Sequence, residues 1–135
     1  MEGWDPTLFL SDLRARKPMV VARDLNCART GMDVYDAKRL VRSPGSTIEE
    51  RMSLDAFLKS GWIDSFKELH PTLRRYTYFS NRNGARHRNV GWRLHNVLLS
   101  AGLLASSAWI DCGIALSDHQ PVGAESALLM SPFRE

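Results

Sequence analysis

Two pairs of residues carry groups suited to hydrolysing a phosphodiester. Asp24 and Asn26 close the apolar run Met19-Val20-Val21-Ala22, which reads as a short strand followed by a polar end. A carboxylate there can take a proton from water, and an Asn two residues on can hold a phosphate or that water. Asp118 and His119 lie near the other terminus. Asp118 is a hard oxygen ligand suited to Mg²⁺, and His119 can donate to a phosphate oxygen. Base, metal ligand and donor are what such a reaction requires. Taken alone, Asp-x-Asn is a common turn and Asp-His an ordinary loop detail.

The stretch Tyr76–Ser100 supplies a surface for such a substrate. It starts with the β-rich run Tyr76-Thr77-Tyr78-Phe79, crosses the Arg/Asn loop from Asn81 to Asn89, and ends in a strand-like run over Trp92–Leu99. Arg74, Arg75, Arg82, Arg86, Arg88 and Arg93 fall within twenty residues. Arginine presents a planar fork to phosphate oxygens, and aromatic faces stack on bases or sugars. Interleaved Asn and aromatic residues favour nucleic acid over a merely solvated charged face.

These groups need elements to hold them. Asp5-Pro6 opens a helix, with Phe9 and Leu13 on one face, and Lys17-Pro18 ends it. Residues 27–46 form a long irregular stretch ending in the turn Ser43-Pro44-Gly45. A capping box follows in one of two registers, Ser46 with Glu49 or Thr47 with Glu50. The helix behind it places Leu54, Phe57 and Leu58 on one face and stops at Gly61. Trp62–Phe66 reads as a short strand or turn. Strands are expected over 74–80, 92–100, 109–115 and 122–130. Helices alternating with short strands give an α/β fold.

Composition sets the outer limits. The 135 residues make one domain's worth, with 44% hydrophobic and 24% charged residues and a net charge of +3. That is a globular chain with a mild basic excess. Cys27 and Cys112 form no CxxC pattern, and both read as buried thiols of a reducing compartment. No apolar run is long enough for a bilayer, and the N-terminus lacks the pattern of a signal peptide. An intracellular protein is expected.

Three segments carry a resemblance. Asp24-Leu25-Asn26, then Asn83-Gly84-Ala85-Arg86 with Asn89-Val90-Gly91-Trp92-Arg93-Leu94, then Ser117-Asp118-His119-Gln120-Pro121-Val122 occur in this order. In order and spacing they resemble the exonuclease III / apurinic-apyrimidinic (AP) endonuclease family over nearly the whole chain, but only its C-terminal half. The resemblance implies a Mg²⁺- or Mn²⁺-dependent nuclease acting on DNA at abasic sites and 3′ ends, in the nucleus of a eukaryote or the cytoplasm otherwise. By motif, Asp24 activates water, Asn26 positions it, Asp118 sits at the metal site and His119 contacts the scissile phosphate. Tyr78 and Trp92 match aromatic walls of the abasic-sugar pocket, and Arg86 matches a DNA-contacting position.

Residues 1–135 are thus expected to be the C-terminal portion of a four-layer α/β sandwich, one sheet with its flanking helices. The family's N-terminal half would be absent, and with it the metal-binding glutamate and a catalytic tyrosine. The sheet face left uncovered represents on the order of 10 kcal/mol of unrealised burial. A partner half-domain or another protein is the expected cover. Three positions depart from the family pattern. His95 stands where the family has the aspartate that pairs with the active-site histidine, Arg23 replaces a glycine beside Asp24, and Leu116 replaces the glycine before Ser117. Three functions remain: a partial enzyme of this type, a non-catalytic nucleic-acid-binding or assembly subunit derived from it, or a degenerate product.

Overall fold

The computed structural model describes residues 6–129. Helix α1 spans Pro6–Arg16. Pro6 takes the first position, where its missing N–H leaves no bond unmade. The expected cap, Asp5, lies outside the described residues. Strand β1 is Val20–Asp24. The irregular stretch behind it holds a short 3-10 helix, Gly31–Asp33, and helix α2, Ala37–Leu40, capped by Asp36. Helix α3, Ile48–Lys59, starts on the Thr47/Glu50 register of the capping box, with both reciprocal bonds formed. Gly61 follows at φ 122°, a conformation that favours glycine.

The segment expected as a short strand or turn is both a strand and a helix. β2 is Trp62–Asp64, and α4 is Ser65–Leu69. Asp64 ends one and caps the other, its carboxylate accepting from the Lys67 N–H at 3.3 Å. Four more differences concern strand bounds and burial. The runs expected at 74–80 and 92–100 shorten to β3, Tyr78–Phe79, β4, Gly91–Trp92, and β5, His95–Ser100. The break between β4 and β5 comes at Arg93, whose N–H is drawn 2.7 Å from the Asp33 carbonyl. β6 is Leu103–Ile110, not 109–115, because Ala101-Gly102 forms a tight turn with Gly102 at φ 92°. β7 is Val122–Leu128; Met130, the expected strand end, lies outside the described residues. Cys27 is buried as expected, but Cys112 is exposed in the loop past β6.

β5 is the centre of an antiparallel sheet ordered β1-β5-β2. Cross-strand partners share a face, so the register divides the sheet cleanly. One face carries Val21, Leu98 and Trp62, packed with Leu58 against Leu10, Leu54 and Phe57 of α1 and α3. The other carries Val20, Ala22, Ile63, Val97 and Leu99, and, at its end, Asp24 opposite His95. Leu103 and Ala105 of the β6–β7 hairpin pack on Leu99, Val97 and Ile63. Val20 remains 52% exposed and no residue of β1 is fully buried, so β1 is half-buried on one face, not buried on both as an apolar run suggests. No helix among the described residues is long and apolar enough to cross a membrane.

Candidate active site

Asp24 ends β1 and His95 begins β5, directly opposite each other. Asp24 Oδ1 accepts the Asn26 N–H at 2.8 Å, and Oδ2 lies 3.5 Å from His95 Nε2. Asn26 sits at φ 49°, a left-handed conformation that Asn tolerates better than most residues. His119 arrives from the long β6–β7 connection. Its segment runs antiparallel to β3: Tyr78 bridges His119, the Phe79 N–H donates to the Asp118 carbonyl, and the Gln120 N–H donates to the Thr77 carbonyl. The rings of His95 and His119 meet edge to face with centroids 4.7 Å apart, and Tyr78 packs on His119 at 5.4 Å. Asp24, His95 and His119 thereby bring one carboxylate and two imidazoles to within 4.8 Å of one another, a spacing compatible with a metal ion.

Both histidines are oriented from behind. His119 Nδ1 donates to Asp118 Oδ1 at 2.7 Å, and this bond holds the Asp118 carboxyl below its usual range. The substitution at position 95 therefore does not leave His119 without a carboxylate, because its neighbour supplies one. Asp118, expected at a metal site, spends that oxygen on His119 and stands outside the three-residue cluster. His95 Nδ1 lies 2.8 Å from the Thr77 hydroxyl, which also accepts the Leu94 and His95 N–H groups at 2.9 and 3.2 Å. Burial pushes the His95 pKa down, and repulsion from His119 adds to this. Attraction from Asp24 and Asp118 does not offset it, so the ring is uncharged at neutral pH.

Tyr78 and Trp92 form a cross-strand pair in β3–β4. They line a cleft of about 450 Å³ together with Asn26, Gly45 and Leu94. Gly45 is required there: at φ 82° a Cβ would stand 2.8 Å from the Asn26 carbonyl oxygen. Arg23 does not share this space. Strand alternation sends it to the face opposite Asp24, where it lines an adjoining cleft of about 620 Å³ with Leu25, Leu54 and Phe57; Asn26 and Glu50 border both clefts. Leu116 is 98% exposed at the tip of the loop that carries His119.

The arginines divide into two groups. Arg93 is 3% exposed and belongs to the interior rather than to a cationic face. Its guanidinium donates to Asp33 at 2.7 Å, to Asp64 at 2.7 and 3.2 Å, and to Asn96 at 2.8 Å. This fork pins the bend between Trp92 and His95. Arg86 is likewise engaged, donating to the Ile114 and Ser117 carbonyls and lying over the Phe79 ring, so it braces the loop that carries His119. Arg82 and Arg88 stay exposed. Asp33, Asp64 and Thr77 are supports that sequence reasoning missed. Asp33 had a signal in the capping pattern Thr30-Gly31-Met32-Asp33; Thr77 had none, sitting inside an ordinary β-rich run.

No family model matches the chain. Individual proteins do. It is 38% identical over 129 residues to a DNA-(apurinic or apyrimidinic site) endonuclease of Dictyostelium discoideum, covering 91% of this chain and 36% of that protein. It is 34% identical to an exodeoxyribonuclease of Bacillus subtilis, covering 88% of this chain and 49% of that one. Among solved structures, a 3′ phosphatase from Neisseria bound to a product DNA hairpin superposes with a TM-score of 0.83 at 28% identity, over 88% of this chain and 49% of the other. An AP endonuclease from Archaeoglobus fulgidus gives a TM-score of 0.77 at 25% identity, over 88% and 52%. The chain spans half or less of the length of the curated relatives it matches. Sequence and fold agree over nearly nine tenths of its own length, and by both the chain belongs to the exonuclease III / AP endonuclease family.

Proposed function

We propose that this chain is the C-terminal portion of a DNA repair phosphodiesterase that acts at abasic sites and 3′ ends, and that alone it cleaves little or no DNA. The observation that supports this reading is the meeting of Asp24, His95 and His119 beside the Tyr78–Trp92 cleft. Asp24, with one oxygen held by the Asn26 N–H, takes the proton of an attacking water. His119, held by Asp118, presents Nε2 to a phosphate oxygen that gains charge in the transition state. Tyr78 and Trp92 enclose the sugar, and Arg82 and Arg88 meet the backbone. DNA as the partner draws support from the Neisseria neighbour, whose structure holds a DNA hairpin.

The Mg²⁺ implied by the family does not fit the groups this chain supplies. Mg²⁺ takes oxygen ligands in near-octahedral geometry. The cluster offers one carboxylate and two imidazoles, and Asp118 is committed to His119. In the complete fold, further carboxylates would come from the other half, which would also cover Val20, Ala22 and the remainder of that sheet face. Loss of one electrostatic donor or orienting carboxylate typically costs about 10²–10⁴ in rate. The second reading, a non-catalytic nucleic-acid-binding subunit, is favoured by one observation: the neutral His95 in place of an aspartate.

A nicking assay on abasic-site duplex with Mg²⁺ tests the proposal. The chain alone should leave the duplex intact, and adding the N-terminal half of a relative such as the Bacillus enzyme should produce nicks that Asp24→Ala removes. Robust cleavage by the chain alone, lost in Asp24→Ala, overturns the requirement for a second half. Tight DNA binding with no cleavage in the reconstituted pair selects the non-catalytic reading.

A further inference from the structure

We propose that Asp24, His95 and His119 form a binding site for a borderline transition-metal dication of the Zn²⁺ type. The inference stands on the geometry of the cluster. The ion would take Asp24 Oδ2 and His119 Nε2, the atoms the nuclease reading gives to water and phosphate, so it is a different use of the same groups. The donor set is two imidazole nitrogens and one carboxylate oxygen, the kind of set that suits Zn²⁺, Co²⁺ or Ni²⁺ and disfavours Mg²⁺.

Three features of the cluster carry the argument. First, the 3.5 Å between Asp24 Oδ2 and His95 Nε2 is too long for a direct hydrogen bond, which needs about 2.7–3.2 Å. It matches the edge of a tetrahedron of about 3.3 Å, which follows from metal–ligand bonds of about 2.0–2.1 Å. Second, each ligand has its other polar atom pinned. Asp24 Oδ1 accepts the Asn26 N–H at 2.8 Å, leaving Oδ2. His119 Nδ1 donates to Asp118 at 2.7 Å, leaving Nε2 with its lone pair. His95 Nδ1 faces the Thr77 hydroxyl at 2.8 Å. The Thr77 hydroxyl oxygen already accepts the Leu94 and His95 N–H groups, so with no ion bound its proton goes to His95 Nδ1 and the ring proton sits on Nε2. Ligation moves that ring proton to Nδ1 as the Thr77 hydroxyl turns to the Trp92 carbonyl, 3.4 Å away. A carboxylate behind a ligating histidine, as Asp118 stands behind His119, is what fixes the tautomer in metal sites.

Third, the adjustment needed is small. Asp24 and His95 are held by the sheet register and the His119 backbone by its bridge to Tyr78, so the movement falls on the exposed His119 side chain. The ligand atoms lie within 4.8 Å, so closing to a tetrahedron moves His119 by about 1–1.5 Å. The two remaining histidines contribute nothing: His70 is bound to the Ala108 carbonyl and His87 is exposed in the arginine loop.

The test is direct binding to the metal-stripped 135-residue chain, read by calorimetry with ZnCl₂ and by the visible spectrum of added Co²⁺. One equivalent of Zn²⁺ should bind and resist excess Mg²⁺, and Co²⁺ should give the intense bands of a four-coordinate centre. His95→Asp and His119→Asn should each weaken Zn²⁺ binding at least tenfold. Asp118→Asn, which leaves all three ligands in place, should weaken it by about 10–100-fold. His87→Ala should change nothing. Circular dichroism confirms the fold of each variant; His95→Gln or His119→Gln replaces the corresponding variant if it unfolds. Absence of stoichiometric Zn²⁺ binding, or affinity unchanged in both the His95 and His119 variants, or loss of binding in His87→Ala, overturns the proposal. The readout is binding, so a chain that never cleaves DNA leaves the inference standing, and an active nuclease that binds no Zn²⁺ removes it.

Discussion

Replacing Arg93 with Met should remove a large share of the stability of this chain. The side chains of Arg93, Asp33 and Asp64 are 2%, 1% and 3% exposed, so both carboxylates rely on this one fork for compensation. Lys67 stands 3.9 Å from Asp33 and does not replace it. Breaking a buried pair by removing one partner costs about 3–5 kcal/mol, and here one cation serves two anions. Small domains have about 5–15 kcal/mol in total. At a urea sensitivity of about 1.5 kcal/mol per molar, the unfolding midpoint should fall by about 2–3 M. Far-ultraviolet circular dichroism against urea measures it. Adding Asp33→Asn and Asp64→Asn to Arg93→Met should recover part of the loss, because no uncompensated charge then stays buried. The pH dependence supplies an internal check. Burial raises the Asp33 pKa, but the charge and hydrogen bonds of Arg93, with those of Thr30, outweigh it and hold it below the unfolded value of about 3.9. The stability gained is therefore present above that value and lost as pH falls through the lower, folded one. This acid limb should be absent in Arg93→Met. A midpoint within about 0.5 M of the parent would refute the account of Arg93 as the pin of the site.

Two further outcomes are expected. Alanine at both Arg82 and Arg88 should weaken DNA binding across all sequences and reduce its salt dependence by roughly one log unit for each phosphate no longer neutralised; Arg86→Ala should instead loosen the loop bearing His119, and unchanged binding in the Arg82/Arg88 double variant, measured by fluorescence anisotropy, would make the loop a solvated face. His95 has a folded pKa below its unfolded value of about 6.5, so the unfolded chain binds more protons in that window; stability should fall as pH drops through it, and thermal melts of His95→Asn should lack this dependence.

Much of the local architecture was legible in the residues. Pro6 at the start of α1, the Thr47/Glu50 capping box, Gly61 after α3 and the apolar run of β1 each act over a few residues, so their sequence signals need no knowledge of the rest of the chain. The motifs that pointed to Asp24, Asn26, Asp118 and His119 were legible for a different reason: they are short, ordered and chemically distinctive. What sequence reasoning misplaced were groups whose state depends on distant neighbours. Arg93 has the same side chain as Arg82 and Arg88, yet it is buried because Asp33 and Asp64 converge on it. The carboxylate behind His119 is Asp118 rather than a residue of β5, which the fold of the β6–β7 connection decides. The pairing of Asp24 with His95 is a matter of sheet register. Water withdrawal and long-range registry set the charge and orientation of these groups, and neither is written in the residues on either side of them.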